Sequence, residues 1–203
     1  MNELVLYHGS KTGIKGDVAP ISRDKCDFGK GFYMGTEKLQ PLTLVCNYEN
    51  AVLYTLRFSL DGLKMLEIPL GLDWALFIAY NRGLLDYAEN SNLYKKMHSY
   101  AKDYDVVKGY IANDRMFVVL DRFFSRTITD VALVKCLSAL KLGEQYVALS
   151  TKACEKVKIV QAEKLSQKYK NELLEKGVSL AEEICRKHRR DGMFFDEILE
   201  SAK

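Results

Sequence analysis

With 203 residues, 48% of them hydrophobic and 28% charged, the chain has the balance of a globular domain long enough for a sizeable core, and neither a disordered nor a membrane protein fits it. Its 30 basic and 27 acidic residues leave a formal charge of +3, too small an excess to mark a nucleic-acid binder by itself. Five cysteines (Cys26, Cys46, Cys136, Cys154, Cys185) are odd in number, widely spaced and without a C-x-x-C pair, which predicts reduced thiols and no zinc site. The N-terminus lacks the basic lead and apolar run of a signal peptide, and no stretch approaches the roughly 18 apolar residues of a membrane span. The expected compartment is the cytoplasm.

Leu4 to Tyr7 is a short apolar run that ends at Gly9-Ser10, the pattern of a buried strand that delivers His8 to its end. Lys11 to Lys30 is rich in Gly, Lys, Asp and Ser and reads as a loop, which closes on a second aromatic strand, Phe32 to Met34, between Gly31 and Gly35. Glu37 to Cys46 has helical composition, with a helix starting near Pro41. Val52 to Leu60 alternates with a period of two, a half-buried strand, with Lys64 to Ile68 as its candidate neighbour.

Trp74, Phe77 and Ile78 sit at helical spacing within Leu72 to Asn81 and read as core. Leu93, Met97, Tyr100 and Tyr104 repeat behind Ser91 as a second helix. Asp105 to Ile111 reads as a strand with a bulge at Gly109. Thr129 caps a helix that runs through Leu140 and stops at Gly143. Gln145 to Leu149 and Val157 to Val160 are further strands. Beyond Gln161 the spacing turns helical: Leu165 to Leu174 ends at Gly177, and Ser179 to Glu182 has capping-box spacing. About six short strands with irregularly interspersed helices predict an α+β fold rather than regular βαβ winding. The expected division is a domain over 1–161 and a helical extension over 162–203.

Three pieces stand out: Leu6-Tyr7-His8-Gly9-Ser10, Gly31-Phe32-Tyr33-Met34-Gly35-Thr36 and Gln145-Tyr146-Val147-Ala148. In this order they resemble the His, Tyr and Glu strand motifs of the diphtheria-toxin-like and poly(ADP-ribose) polymerase branch of ADP-ribosyltransferases. They are also similar to a bacterial family of uncharacterised domains assigned to that superfamily, in which LYHGS, DFGKGFY and a glutamine-led strand recur. The resemblance covers about Leu4 to Val160. It implies a split β-sheet core with surrounding helices, NAD as substrate with no metal, release of nicotinamide, and transfer of ADP-ribose to a macromolecular acceptor, protein or nucleic acid.

Under that resemblance His8, Tyr33 and Gln145 form the nicotinamide pocket, and Gly9, Ser10, Arg23, Asp27 and Phe32 hold the rest of the cofactor. Each residue type suits its task. Gly9 presents backbone N–H and C=O to a carboxamide without a Cβ in the way. His8 orients a ribose hydroxyl, and Tyr33 stacks on the nicotinamide, a contact worth about 1 kcal/mol beyond area burial. Arg23 suits the diphosphate, with Lys30 as a second candidate, and Asp27 suits a ribose hydroxyl. Cleavage of the glycosidic bond builds positive charge on the ribose, which a group at the 2′-hydroxyl stabilises. Much of the superfamily uses glutamate there, whereas this chain has Gln145, whose neutral amide accepts a weaker bond. Glu144 takes the inward position if the strand slips by one residue.

The alternative is a non-catalytic NAD or ADP-ribose sensor or interaction module with a vestigial pocket. Gly29-x-Gly31 lacks the third glycine and the following helix of a Rossmann fingerprint. His98 and His188 are isolated histidines without an expected role. The cations of Arg186 to Arg190 suit the C-terminal end of a helix. Asp105 and Asn113-Asp114 match a recurrent piece of the similar family, with no role that the sequence argues.

Overall fold

The computed structural model of the chain describes residues 3–45, 48–112, 114–139, 143–165 and 186–202. In chain order these form β1 (Glu3–Ser10), β2 (Phe32–Gly35), α1 (Leu39–Val45), β3 (Val52–Ser59), β4 (Met65–Glu67), α2 (Leu72–Asn81), α3 (Asn92–Ser99), β5 (Val106–Tyr110), α4 (Asp114–Phe124), α5 (Asp130–Ala139), β6 (Glu144–Ala148), α6 (Thr151–Cys154), β7 (Val157–Lys164) and α7 (Phe195–Ser201). The fold is mixed α+β. Among the described residues seven strands make one sheet in the order β4-β5-β6-β2-β1-β3-β7. All its pairings are antiparallel except β4 with β5.

The sheet behaves as two halves. β1, β3 and β7 pair along most of their lengths, as do β2, β6 and β5. Between the halves, β1 meets β2 at one register pair, Tyr7 with Gly35. Because successive side chains on a strand point to opposite faces, the β2-β6-β5 half feeds two cores, whereas β1, β3 and β7 feed one of them. Val106, Tyr146 and Ala148 join Leu6, Met34, Leu56, Phe58 and Val157 in one. Val107 and Val147 join the helices in the other, where Trp74, Phe77, Ile78, Phe123, Leu133 and Phe195 pack. Each large apolar side chain so buried contributes about 1.5–3 kcal/mol.

Several elements differ from the sequence expectation for local reasons. β4 does not neighbour β3; it pairs in parallel with β5 at the far edge, because Asp105 and Val106 donate to Lys64 O and Ile68 donates to Lys108 O. Gly109 makes no bulge. It pairs in register with Gln145, and a Cβ there would meet the Phe28 ring at 2.7 Å. The bulge lies instead between Thr55 and Leu56, opposite β7. α1 starts ahead of Pro41, which fits the first turn where an amide hydrogen is not needed. α3 keeps its Ser91 cap but ends at Ser99. α4, an apolar run whose spacing went unread, packs Met116, Val119, Leu120 and Phe123 in the core.

The division expected at 161/162 falls inside β7, and α7 closes onto the helical core through Phe195 and Ile198. The expected helices over 165–177 and 179–182 lie, but for Leu165, outside the described residues, as do Cys46, Asn113 and Cys185. No helix among the described residues is long and apolar enough to cross a membrane.

Asp105, which the sequence left without a role, ties three elements together. Its carboxylate accepts from Lys64 N at 3.0 Å and from the Ser150 hydroxyl at 2.8 Å, and its carbonyl accepts from Leu149 N at 2.8 Å. The Lys64 N–H, then the Ser150 hydroxyl, hold its carboxyl below the usual range. A group whose folded pKa is depressed adds stability above its unfolded pKa, and that stability is lost as pH falls through the folded value. Asp105→Asn therefore lowers the urea midpoint at pH 7, and the wild-type and variant midpoints converge as pH drops below about 3.9. Equal midpoint differences at both pH values count against this account.

Candidate functional site

The site begins where the sheet opens. Beyond Tyr7 the β1–β2 ladder stops, and the side chain of His8 takes over: its Nδ1 donates to the Tyr33 carbonyl at 2.7 Å. A carbonyl can only accept, so the hydrogen sits on Nδ1. Burial lowers the His8 pKa, against the Tyr33 bond that raises it. The neutral ring then keeps an acceptor lone pair on Nε2. Phe32 stacks on the imidazole at 4.4 Å with planes 26° apart, which fixes the ring from below. Gly9 and Ser10 continue β1, paired to Leu53 and Val52 on the β3 side. At Gly9 the absent Cβ serves helix packing, since one would meet Pro41 O at 2.6 Å.

Tyr33 is half-buried, and its hydroxyl is spent on the loop. It accepts from Phe28 N at 3.0 Å and donates to Gly29 O at 2.7 Å; burial pushes the phenol well above its ordinary value. Asn81 donates to the Asp27 carbonyl at 3.2 Å. Arg82 donates to the Asp27 carboxylate from Nε at 2.8 Å and also from Nη2. Burial raises the Asp27 pKa, while Arg82, the Ala112 N–H and Arg23 lower it. Asp27 to Gly29 is thus a wall clamped by β2 on one side and the end of α2 on the other. Phe28 lies over Gly109 to complete it.

The loop ahead of this wall is fastened twice. Ser22 and Gly31 close its neck through Ser22 N to Gly31 O at 3.3 Å and Gly31 N to Ser22 Oγ at 3.2 Å. Tyr54, on β3 beside His8, accepts from Ile14 N at 2.8 Å. Exposed Arg23 stands on this loop, while Lys30 turns to Asp24 at 3.1 Å and does not line the cleft.

β6 supplies the third side chain. Gln145 is 5% exposed and its Nε2 donates to Tyr110 O at 3.3 Å, which leaves Oε1 as acceptor. Glu144 faces away from the cleft, held by Lys108 at 3.0 Å. The pairing of Gln145 with both Gly35 and Gly109 fixes this register. His8, Tyr33 and Gln145 therefore come from three strands to line one cleft of about 900 Å³, together with Gly9, Ser10, Arg23, Asp27 and Phe32. Ligand sites commonly enclose roughly 300–1,000 Å³. Among the described residues no cluster of three or more His, Cys, Asp or Glu side chains could hold a metal ion.

The family model described as "Protein of unknown function (DUF3990)" matches residues 4–159. The chain belongs to that family. A search of the curated proteins and a search of the solved structures found no match. The matched span holds all the cleft-lining residues.

Within this DUF3990 span the sequence reading passed over Arg82, Phe117, Ile111 and Ala112, which also line the cleft. Arg82 stacks on Phe117 with 3.6 Å between guanidinium carbon and ring centroid. The only signal was an arginine at the end of an otherwise apolar helix. Nothing local ties it to Asp27, far upstream in the chain. His98 is exposed and bonds Tyr80 at 2.7 Å, and His188 bonds Asp191 at 2.9 Å, so both act locally.

The state of His8 is checkable directly. Nitrogen-15 spectra at pH 7 will show the neutral Nδ1–H tautomer. Because its folded pKa is depressed, the ring adds stability above the unfolded value of about 6.5 that is lost as pH falls. His8→Gln abolishes that component of the pH dependence; an Nε2–H tautomer or an unaltered profile speaks against the assignment.

Proposed function

We propose that the cleft binds NAD and that the chain is an ADP-ribosyltransferase, releasing nicotinamide and transferring ADP-ribose to a macromolecular acceptor. The observation that supports this reading is the convergence of His8, Tyr33 and Gln145, distant in sequence, at the opening between the two half-sheets. The cleft also carries the cations Lys11, Lys15, Arg23 and Arg82 against the carboxylates Asp17 and Asp27, which suits an anionic ligand.

In this reading Tyr33 presents its ring to the nicotinamide while the hydroxyl stays bonded to the loop. Neutral His8 accepts from a ribose hydroxyl through Nε2. The bond between the ribose C1′ and the nicotinamide nitrogen breaks, and the electron pair leaves with neutral nicotinamide. The acceptor's nucleophile then bonds C1′ and gives its proton to solvent. Gln145 Oε1, oriented by the bond of its amide to Tyr110 O, accepts from the 2′-hydroxyl as charge develops on the sugar. A carboxylate there would make a bond roughly twice as strong, so turnover is slow.

That same neutral amide, with Glu144 held by Lys108, favours a second reading: an NAD-binding module without turnover. Three variants separate the readings. His8→Ala and Tyr33→Ala abolish NAD binding in calorimetry; unchanged binding sinks the site. Gln145→Glu raises nicotinamide release about tenfold or more, the effect of about 1.4 kcal/mol in the barrier. If NAD binds yet neither wild type nor Gln145→Glu releases nicotinamide, the second reading stands.

A further inference from the structure

We infer that Arg82 and Arg23 form a two-arginine clamp for a diphosphate, with Asp27 as the residue that positions Arg82. The inference deepens the NAD reading and rests on it for the rest of the ligand. It assigns to the end of α2 a binding role that the sequence motifs do not contain.

The geometry is that of a prepared anion site. Two of the five N–H groups of the Arg82 guanidinium go to the Asp27 carboxylate. Its face lies on Phe117, and its side chain keeps 20% exposure at the cleft wall. The planar fork is therefore held on one edge and one face, and among the described residues its remaining N–H groups make no other hydrogen bond. A pre-oriented fork loses less rotamer freedom on binding than a free arginine, and it matches two phosphate oxygens at once.

Asp27 alone would cancel this charge. Arg23, however, lines the same cleft from the loop, and its charge favours the same carboxylate. Two guanidiniums against one carboxylate leave this part of the cleft lining with a net positive charge. Across the whole cleft, Lys11 and Lys15 against Asp17 add a further cation, so the lining has an excess of two positive charges, matching the two negative charges of a diphosphate. Exposed Arg23 closes from the loop side, whereas Arg82 is fixed. The clamp has one rigid and one adjustable jaw.

The test uses the full chain with nicotinamide, ADP and ADP-ribose as separate probes in calorimetry. Removing Arg82 alone would strand a buried carboxylate and endanger the fold. The informative variant is therefore the double substitution Arg82→Gln with Asp27→Asn, which keeps a neutral hydrogen-bonded pair. Arg23→Ala, on the surface, serves as a second variant that leaves the core intact. The double variant loses ADP and ADP-ribose affinity by about tenfold or more, Arg23→Ala loses it by a smaller factor, and nicotinamide affinity stays put in both. Unchanged ADP affinity in both variants, or an equal loss for nicotinamide, overturns the clamp. So does a wild-type chain that binds nicotinamide but not ADP; the nicotinamide pocket would then survive alone. If the wild type binds ADP through Arg82 but neither nicotinamide nor NAD, the clamp stands as a nucleoside diphosphate site and the NAD reading falls.

Discussion

The structure turns on one unmade ladder. A sheet of this width would ordinarily zip β1 to β2 along their lengths, since unpaired backbone groups away from water are costly. Here the two strands meet at Tyr7 and Gly35 only, and the Tyr33 carbonyl takes its hydrogen from the His8 ring instead. A side chain substituting for a backbone donor lets the strands diverge without leaving the carbonyl unsatisfied. The cleft is the space so created, and the neutral, half-buried imidazole is both its wedge and one of its walls.

Once the strands part, the loop between them needs anchors, and two tyrosines provide them. Tyr33 holds Phe28 N and Gly29 O, and Tyr54 holds Ile14 N. The Tyr54 ring stands 6.2 Å from the His8 ring, and the Tyr33 carbonyl is bonded to it. The polar end of Tyr33, which lines the cleft, is therefore used internally, and what it offers a ligand is ring surface. The same economy holds at Asp27, whose carboxylate accepts from Arg82. Asp27, which the motif reading assigns to a ribose hydroxyl, thus also orients Arg82.

Strands with an apolar run or clear alternation were legible: β1, β2, β3 and β6 stand where those runs lie, and burial of one face imposes its period of two on β3 from Tyr54 to Ser59. Ser91 and Thr129 marked helix starts through the local chemistry of caps, and their hydroxyls accept from Tyr94 N and Ala132 N. What escaped was non-local. β4 is three residues long and carries no information about which strand it joins; the latch at Asp105 decides that. Arg82 and Phe117 lie far apart in sequence and meet because α2 and α4 pack on one core, and Arg82 then reaches Asp27. A three-piece motif could name the residues on strands, but not the helix residues that complete the same wall.

The neutrality of the β6 position is a property of the whole fold and not of one side chain. A slip of one residue would bring Glu144 inward, but β6 is laddered on both edges, to β2 and to β5. It would also turn Val147, fully buried among the helices, to the opposite face and exchange it with Tyr146 and Ala148. Exposing one such core side chain costs about 1.5–3 kcal/mol, and two ladders would have to break together. Lys108 adds to the barrier by holding Glu144 outside. The parity of the strand therefore commits the site to an amide, and only substitution at residue 145 can place a carboxylate there.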